Sequence, residues 1–359
     1  MNKDIKIVLE NGIEIPCTSF GARKDIIGDF IFNTSIVGYQ EILTDPSYYQ
    51  EIVVMTFPVQ GIYGVNELDD ESTDSSPSAF VVGTWEPHYS NNHATMSLEE
   101  YLVKKNIQGV TNVDTRYLTK LIREKGSMKG AIVSIDANTE EIVNKLKATK
   151  LSGHVPAVSP KKNEIKNEQG QKTAVFYDFG AKDSIEKNLI ARGYKVIRVP
   201  YDTKYADVKK MNPDLIFLSN GPGDPAELTE VTEQIKLMID GKEKVCGICL
   251  GHQLISIALG CKTSRLKFGH HSGNHPVKDL ETNKVYITSQ NHNYAVVEES
   301  VSADVIPFMR SLHDNTIEGI RHKTKPVISV QFHPESAPGP TDANDIFDKF
   351  LKYVGGKNA

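Results

Sequence analysis

Three residues carry the clearest chemistry in this sequence. Cys249 lies between two glycines in Gly247-Ile248-Cys249-Leu250-Gly251, a small-x-nucleophile-x-small spacing. That spacing lets a sharp strand-to-helix turn expose a reactive side chain without neighbours crowding it. A cysteine at such a turn meets the positive end of a helix dipole, which favours the nucleophilic thiolate. The backbone N–H of Leu250 then points where an oxyanion would develop. Downstream, an apolar run ends in His333-Pro334-Glu335. Proline stops a central strand, so both side chains are presented at its carboxyl end, two apart and leaning to one side. There a histidine can take and return a proton while the glutamate holds its tautomer and steadies its cation.

Other readings of the cysteine stand beside this one. Free cysteines are among the most buried residue types, so Cys249 could be a core residue. Cys246-Gly247-Ile248-Cys249 also has CxxC redox spacing, although Cys246 falls inside the apolar run rather than after it. Metal binding by this pair needs two more ligands, and none appears at suitable spacing. The histidines His270, His271 and His275 lack nearby acidic or cysteine ligands and read as loop histidines.

The elements that must position these groups are legible in outline. From residue 173 onward, short apolar runs alternate with helical stretches: TAVFYDFG then KDSIEKNLIARG, DLIFLSNGPGDP then ELTEVTEQIKLMID, KVCGICLGHQLISIALG. This alternation predicts a doubly wound, mostly parallel sheet, whose ligands bind at the carboxyl ends of the strands. Lys244 to Ile248 reads as a strand, Leu250 to Leu259 as the helix after the turn, and Val327 to Phe332 as the strand leading to His333. Asp183-Ser184 reads as a helix start. Residues 161–172, KKNEIKNEQGQK, are almost wholly polar and read as a connection. Before them, residues 1–160 form a smaller mixed α/β domain, with turns at Asn11-Gly12 and Gly126 and a helix over Asp114 to Glu124. The second domain covers 173–359.

Composition agrees and excludes alternatives. At 359 residues, 39% hydrophobic and 24% charged, the chain suits about two globular domains. A formal net charge of −5 gives no electrostatic footprint for nucleic acid or anionic membrane. Cys17, Cys246, Cys249 and Cys261 are too few for a disulfide framework, which fits a reducing, cytoplasmic setting. The opening MNKDIKIVLENGIEIP lacks a signal-peptide pattern and no stretch reaches about 18 apolar residues, so neither export nor membrane spanning is expected.

GICLGHQ at 247–253, FHPE at 332–335 and SNGPGDP at 219–225 resemble the class I glutamine amidotransferases, the triad glutaminases. KFGHHSGNHPVKD at 267–279, SQNHNYAV at 289–296 and PGP at 338–340 narrow this to the small, glutamine-hydrolysing subunits of carbamoyl phosphate synthetase. GYQEILTDPSYY at 38–49, GVN at 64–66 and DTRYLTKLIREKGSMKG at 114–130 extend the resemblance over nearly the whole chain. It implies Cys249 as nucleophile, His333 as catalytic histidine and Glu335 as its acidic partner. It implies a glutamine site at Ser47, Gly221, Gly223, Leu250, Gln253, Asn291, Asn293 and Tyr294, with the Gly221 and Leu250 N–H groups holding the oxyanion. The family pattern has Gly and Phe where this sequence has Asn293 and Tyr294; Asn tolerates positive φ, and Tyr keeps the ring. The family passes ammonia to a large synthetase subunit that consumes bicarbonate and ATP to make carbamoyl phosphate for arginine or pyrimidine synthesis. ATP and Mg are expected on that partner and no cofactor on this chain, which lacks GxxxxGK[ST]. The competing expectation is a catalytically silent scaffold of the same fold.

Overall fold

The computed structural model describes residues 3–73 and 77–356; the outer limits of the two domains read above, Met1 and Ala359, lie outside them. The chain divides into two compact units, residues 1–154 with 267–271, and residues 155–266 with 272–359.

The first unit is built on a closed barrel in the order Ile5–Leu9, Glu14–Gly21, Gln108–Thr111, Ala79–Val81, Glu51–Met55, Ile26–Asn33, Met128–Ser134. The hairpin at Asn11-Gly12 begins it, with Gly12 at φ 87°, and closure comes when Ile7 pairs with Ile132 across the first and last strands. Successive strand residues point to opposite faces, so they serve separate clusters. Phe30, Ile52, Val54, Ala79 and Val81 pack with Leu118 and Ile122 of the helix Thr115–Lys125. Ile31, Val53 and Phe80 pack with Leu43 and Leu102 of other helices. The helix Thr115–Lys125 begins one residue later than read, because Asp114 is its cap and accepts from the Tyr117 N–H. Residues 267–271, read from sequence as part of the second domain, belong with the first unit: the Ser127 N–H donates to Lys267 O at 2.8 Å, and Phe268 stacks on Phe32.

The second unit is a ten-stranded sheet. Five strands run parallel, in the order Tyr194–Pro200, Lys172–Asp178, Leu215–Leu218, Val245–Ile248, Val327–Val330. Alternate residues feed two separate cores. Phe176, Phe217, Ile248 and Val330 meet Ile185 and Leu189 of the helix Asp183–Ala191 and Phe347 and Phe350 of Ile346–Gly355. Val175, Ile216, Val245 and Val327 meet Ile235 of Thr229–Asp240 and Leu254 of Leu250–Ala258. Helices on both faces are what the alternation of runs predicts.

Two features differ from that expectation. Beyond Val327–Val330 the sheet continues antiparallel through Ile317–His322, Val305–Ser311 and Thr263–Asp279 to Val285–Val296, an extension with no intervening α-helix among the described residues to signal it. The polar segment 161–172 is more than a connection: Glu164–Lys166 adds an antiparallel edge strand beside Tyr194–Pro200, and Asn167 Nδ2 donates to Tyr194 O. Edge strands tolerate charge, which is why its composition read as a linker.

Candidate active site

The Cys249 turn is fixed from both sides. Val245–Ile248 delivers the chain and Leu250–Ala258 carries it away, with Cys249 itself at φ 53°, ψ −106°. A non-glycine residue in that region stores strain of about 1–3 kcal/mol and persists only where its surroundings over-determine it. Here they do. The Cys249 N–H donates to Val330 O at 3.0 Å and the Gly251 N–H to Ser219 O at 3.0 Å, tying the turn to both neighbouring strands. Only glycine fits at the flanks: a Cβ on Gly247 would lie 2.8 Å from Gly251 C, and one on Gly251 only 2.3 Å from Leu218 O. Cys249 is 2% exposed, with its thiol 3.5 Å from Asn291 O.

Val327–Val330 lies directly beside the nucleophile strand, with Val330 opposite Ile248. It is two residues shorter than read, yet His333 stays registered because its N–H donates to Ser289 O at 2.9 Å. His333 Nδ1 meets Glu335 Oε1 at 2.6 Å. A carboxylate only accepts, so Nδ1 carries a proton. Nε2, buried, has no partner in full hydrogen-bonding geometry among the described residues.

A residue that sequence reasoning missed completes this arrangement. Lys182, 2% exposed, places Nζ 2.9 Å from Glu335 Oε1 and also donates to Ser336 O. It precedes the helix Asp183–Ala191, whose start was read correctly. The loop before it is held by Asp178 Oδ1, which accepts from the Gly180 and Ala181 N–H groups at 2.8 Å each. Asn220 Oδ1 accepts from the Lys182 N–H at 3.1 Å. A lysine is almost never fully buried unless paired, and nothing near it in sequence announces a partner 153 residues away.

The electrostatics follow from these neighbours. Burial alone pulls an imidazole down, but the Glu335 carboxylate and the Cys249 side chain outweigh it and hold His333 up at about 10. Burial pushes Glu335 up, but Lys182 and His333 outweigh it and bring it down to about 2. At neutral pH His333 is a cation and Glu335 an anion. The arrangement suits a nucleophile beside a ready proton donor.

The remaining candidates fall into two groups. In the second unit, Gly221 comes close to the helix start, since a Cβ there would lie 2.9 Å from Leu250 Cδ2. Neither the Gly221 nor the Leu250 backbone N–H is taken by another group among the described residues. Gly223 follows in the same loop. Gln253, one turn after Cys249, donates from Nε2 to Tyr294 O at 2.9 Å and to Gln331 Oε1 at 3.1 Å. Asn291, Asn293 and Tyr294 lie on the strand Val285–Val296, and Asn293 is not left-handed there, so the expected need for positive φ does not arise. Ser47 belongs to the first unit, buried on the turn Pro46–Tyr48 with its N–H donating to Asp45 Oδ1 at 2.9 Å. Sequence reasoning also missed Gln331 and His252. His252 is fully buried, bonded through Nδ1 to Ser329 Oγ at 2.9 Å, and burial drives it down to about 3. Of the other cysteines, Cys246 faces one core of the second unit, Cys261 the other, and Cys17 one core of the first; all are free.

Comparison with known proteins adds the following. The family model described as Glutamine amidotransferase class-I matches residues 175–353, and that of the carbamoyl-phosphate synthase small chain, CPSase domain, matches residues 7–132. A carbamoyl phosphate synthase small chain of Clostridium perfringens is 46% identical over 350 residues, covering 97% of this chain and 99% of the relative. The protein of that name from Aquifex aeolicus is 44% identical, covering 99% and 100%, and the one from Methanocaldococcus jannaschii 43%, covering 96% and 98%. A crystal structure of a glutamine amidotransferase from Thermotoga maritima aligns with 50% of this chain and 82% of its own, at 15% identity and a TM-score of 0.38.

Proposed function

This chain belongs to the carbamoyl phosphate synthase small-chain family, and from that premise we propose how its own residues perform the glutamine hydrolysis that defines a glutamine-hydrolysing carbamoyl phosphate synthase. Cys249 Sγ, its proton already held on His333 Nε2, attacks the side-chain carboxamide carbon of glutamine, and the Gly221 and Leu250 N–H groups stabilise the oxyanion that forms. The His333 cation gives its Nε2 proton to the leaving nitrogen; the C–N bond breaks, ammonia departs and a glutamyl thioester remains on Cys249. Neutral His333 then takes a proton from water as the water attacks the thioester. The C–S bond breaks, glutamate leaves, and His333 is again a cation. Glu335 holds the imidazole orientation through Nδ1, and Lys182 keeps Glu335 ionised.

Glutamine carries both an α-ammonium and an α-carboxylate, so a site rich in backbone and amide groups recognises it by hydrogen bonds. Gly223, Gln253, Asn291, Asn293 and Tyr294 are proposed for this, and Ser47 is carried over from sequence resemblance alone. Ammonia is largely protonated in neutral water and then cannot act as a nucleophile, so the product must pass directly to a partner. That partner is proposed to be the large synthetase subunit, where ATP and Mg would act. Among the described residues no helix is long and apolar enough to cross a membrane; a cytoplasmic setting is proposed with the partner.

The observation that carries this reading is the 2.6 Å contact of His333 Nδ1 with Glu335, which leaves Nε2 as the atom that can trade a proton with Cys249. The test is Cys249→Ser in the complex with the large subunit. Glutamine-dependent synthesis should disappear while synthesis from added ammonia remains; continued use of glutamine would overturn the assignment. A glutamyl thioester trapped on Cys249 and seen by mass spectrometry separates an active glutaminase from a silent scaffold.

A further inference from the structure

We propose that Gln331 is a positioning residue that fixes which end of the Gln253 carboxamide faces the substrate, making the site selective for amides that carry an α-ammonium. The proposal rests on the glutaminase reading above. A carboxamide has an oxygen that accepts and a nitrogen that donates twice, on nearly the same shape, so an unrestrained Gln253 could present either end. Tyr294 O only accepts, and Gln253 Nε2 lies 2.9 Å from it, which settles where the nitrogen is. The second N–H of that nitrogen goes to Gln331 Oε1 at 3.1 Å. Both donors are then used, and among the described residues nothing donates to Gln253 Oε1, which is left as an acceptor for a positively charged group.

Gln331 is fully buried, yet its own Nε2 has no partner among the described residues. Burying an amide donor without a partner is costly, so stability alone does not explain an amide at this position. Its backbone is rigidly placed: the Gln331 N–H donates to Glu318 O at 2.8 Å, and the preceding residue, Val330, accepts from the Cys249 N–H. The orienting side chain is therefore in register with the nucleophile. An acceptor oxygen favours an ammonium and disfavours a substrate that lacks one, whose binding would leave that oxygen unpaired.

The experiment compares glutamine with glutaramate, the same amide without the α-amino group, as substrate or competitive inhibitor of the full chain. In Gln331→Met the KM for glutamine should rise about tenfold, the scale of one weakened charge-assisted hydrogen bond. kcat should change less than about threefold, and glutaramate should be nearly unaffected, so the preference for glutamine shrinks about tenfold. Gln331→Glu keeps an acceptor for Gln253 and should recover most of the glutamine KM. Alkylation of Cys249 by iodoacetamide, which needs no ammonium, should proceed at the wild-type rate in both variants and reports an intact turn; Gln331→Leu carries the same expectation as Met should that variant not fold. An unchanged preference in the Met or Leu variant, a loss confined to kcat, or a Glu variant no better than Met would each overturn the proposal. Absence of glutamine hydrolysis by the wild type in complex with its partner would instead remove the glutaminase reading itself.

Discussion

Replacing Glu335 by Gln removes one charge and keeps the shape, so it isolates what the carboxylate does for His333. The second unit holds its own reference. His252 is as buried as His333 but among the described residues hydrogen-bonds through its ring only to a serine hydroxyl, and burial brings it down to about 3. His333 stands at about 10 because Glu335 and the Cys249 side chain outweigh the same burial. With the carboxylate gone, burial dominates again, and the imidazole should fall by at least about two pH units, each equivalent to about 1.4 kcal/mol. In the wild type the raised value means that the His333 cation contributes fully to stability below 6.5 and loses that contribution as pH rises through about 10. On the proposed mechanism, the proton given to the leaving nitrogen is therefore held throughout the neutral range. In Glu335→Gln the alkaline limb of kcat should move down by about two pH units or more. At mildly alkaline pH, kcat should fall about ten- to hundredfold. The assay is the initial rate of glutamate formation across the pH range. Lys182 also loses its counter-charge, which should cost about 3–5 kcal/mol of stability. The double variant Lys182→Met, Glu335→Gln should recover much of that while keeping a downward shift of the limb. A folded Glu335→Gln protein whose alkaline limb does not move would refute the reasoning.

Gly251→Ala should push the new methyl into Leu218 O, displacing the helix start, with about 1–3 kcal/mol lost in denaturant unfolding and at least about tenfold in kcat/KM; wild-type values for both would show that the close approach is not needed. Arg198 binds Asp178, Asp183 and Glu186, and burial already raises the Asp178 and Glu186 carboxyls against its pull. Arg198→Met should therefore destabilise most at neutral and alkaline pH, by about 3–5 kcal/mol, and less as acid protonates the abandoned carboxyls; a melting-temperature deficit independent of pH would contradict this.

How much could be read in advance depended on the range of the interaction. The Cys249 turn is local: its glycines, strand and helix lie within about a dozen residues, and spacing alone announces them. His333 and Glu335 were legible because proline marks where their strand stops. Lys182 was not, since a lysine at a helix start looks like any solvated surface charge until the parallel strands bring it to Glu335. Gln331 and His252 were hidden for a similar reason, their roles depending on partners on other elements. The barrel of the first unit rests on pairings such as Ile7 with Ile132, which no periodicity of 2 can specify. The antiparallel extension of the sheet was invisible because its described strands follow one another without α-helices.

The strand Val327–Val330 is the last strand in chain order, yet it lies inside the sheet, between Val245–Ile248 and Ile317–His322. A ribosome making this chain therefore releases Cys249 well before His333, its proposed proton donor, and the first unit can fold while the second is still incomplete. Until the final strand inserts, Val330 O is not there to hold the turn and His333 is not in place beside it. Competence thus arrives at the end of synthesis, all at once. On the proposed mechanism, a half-made chain cannot yet hydrolyse glutamine.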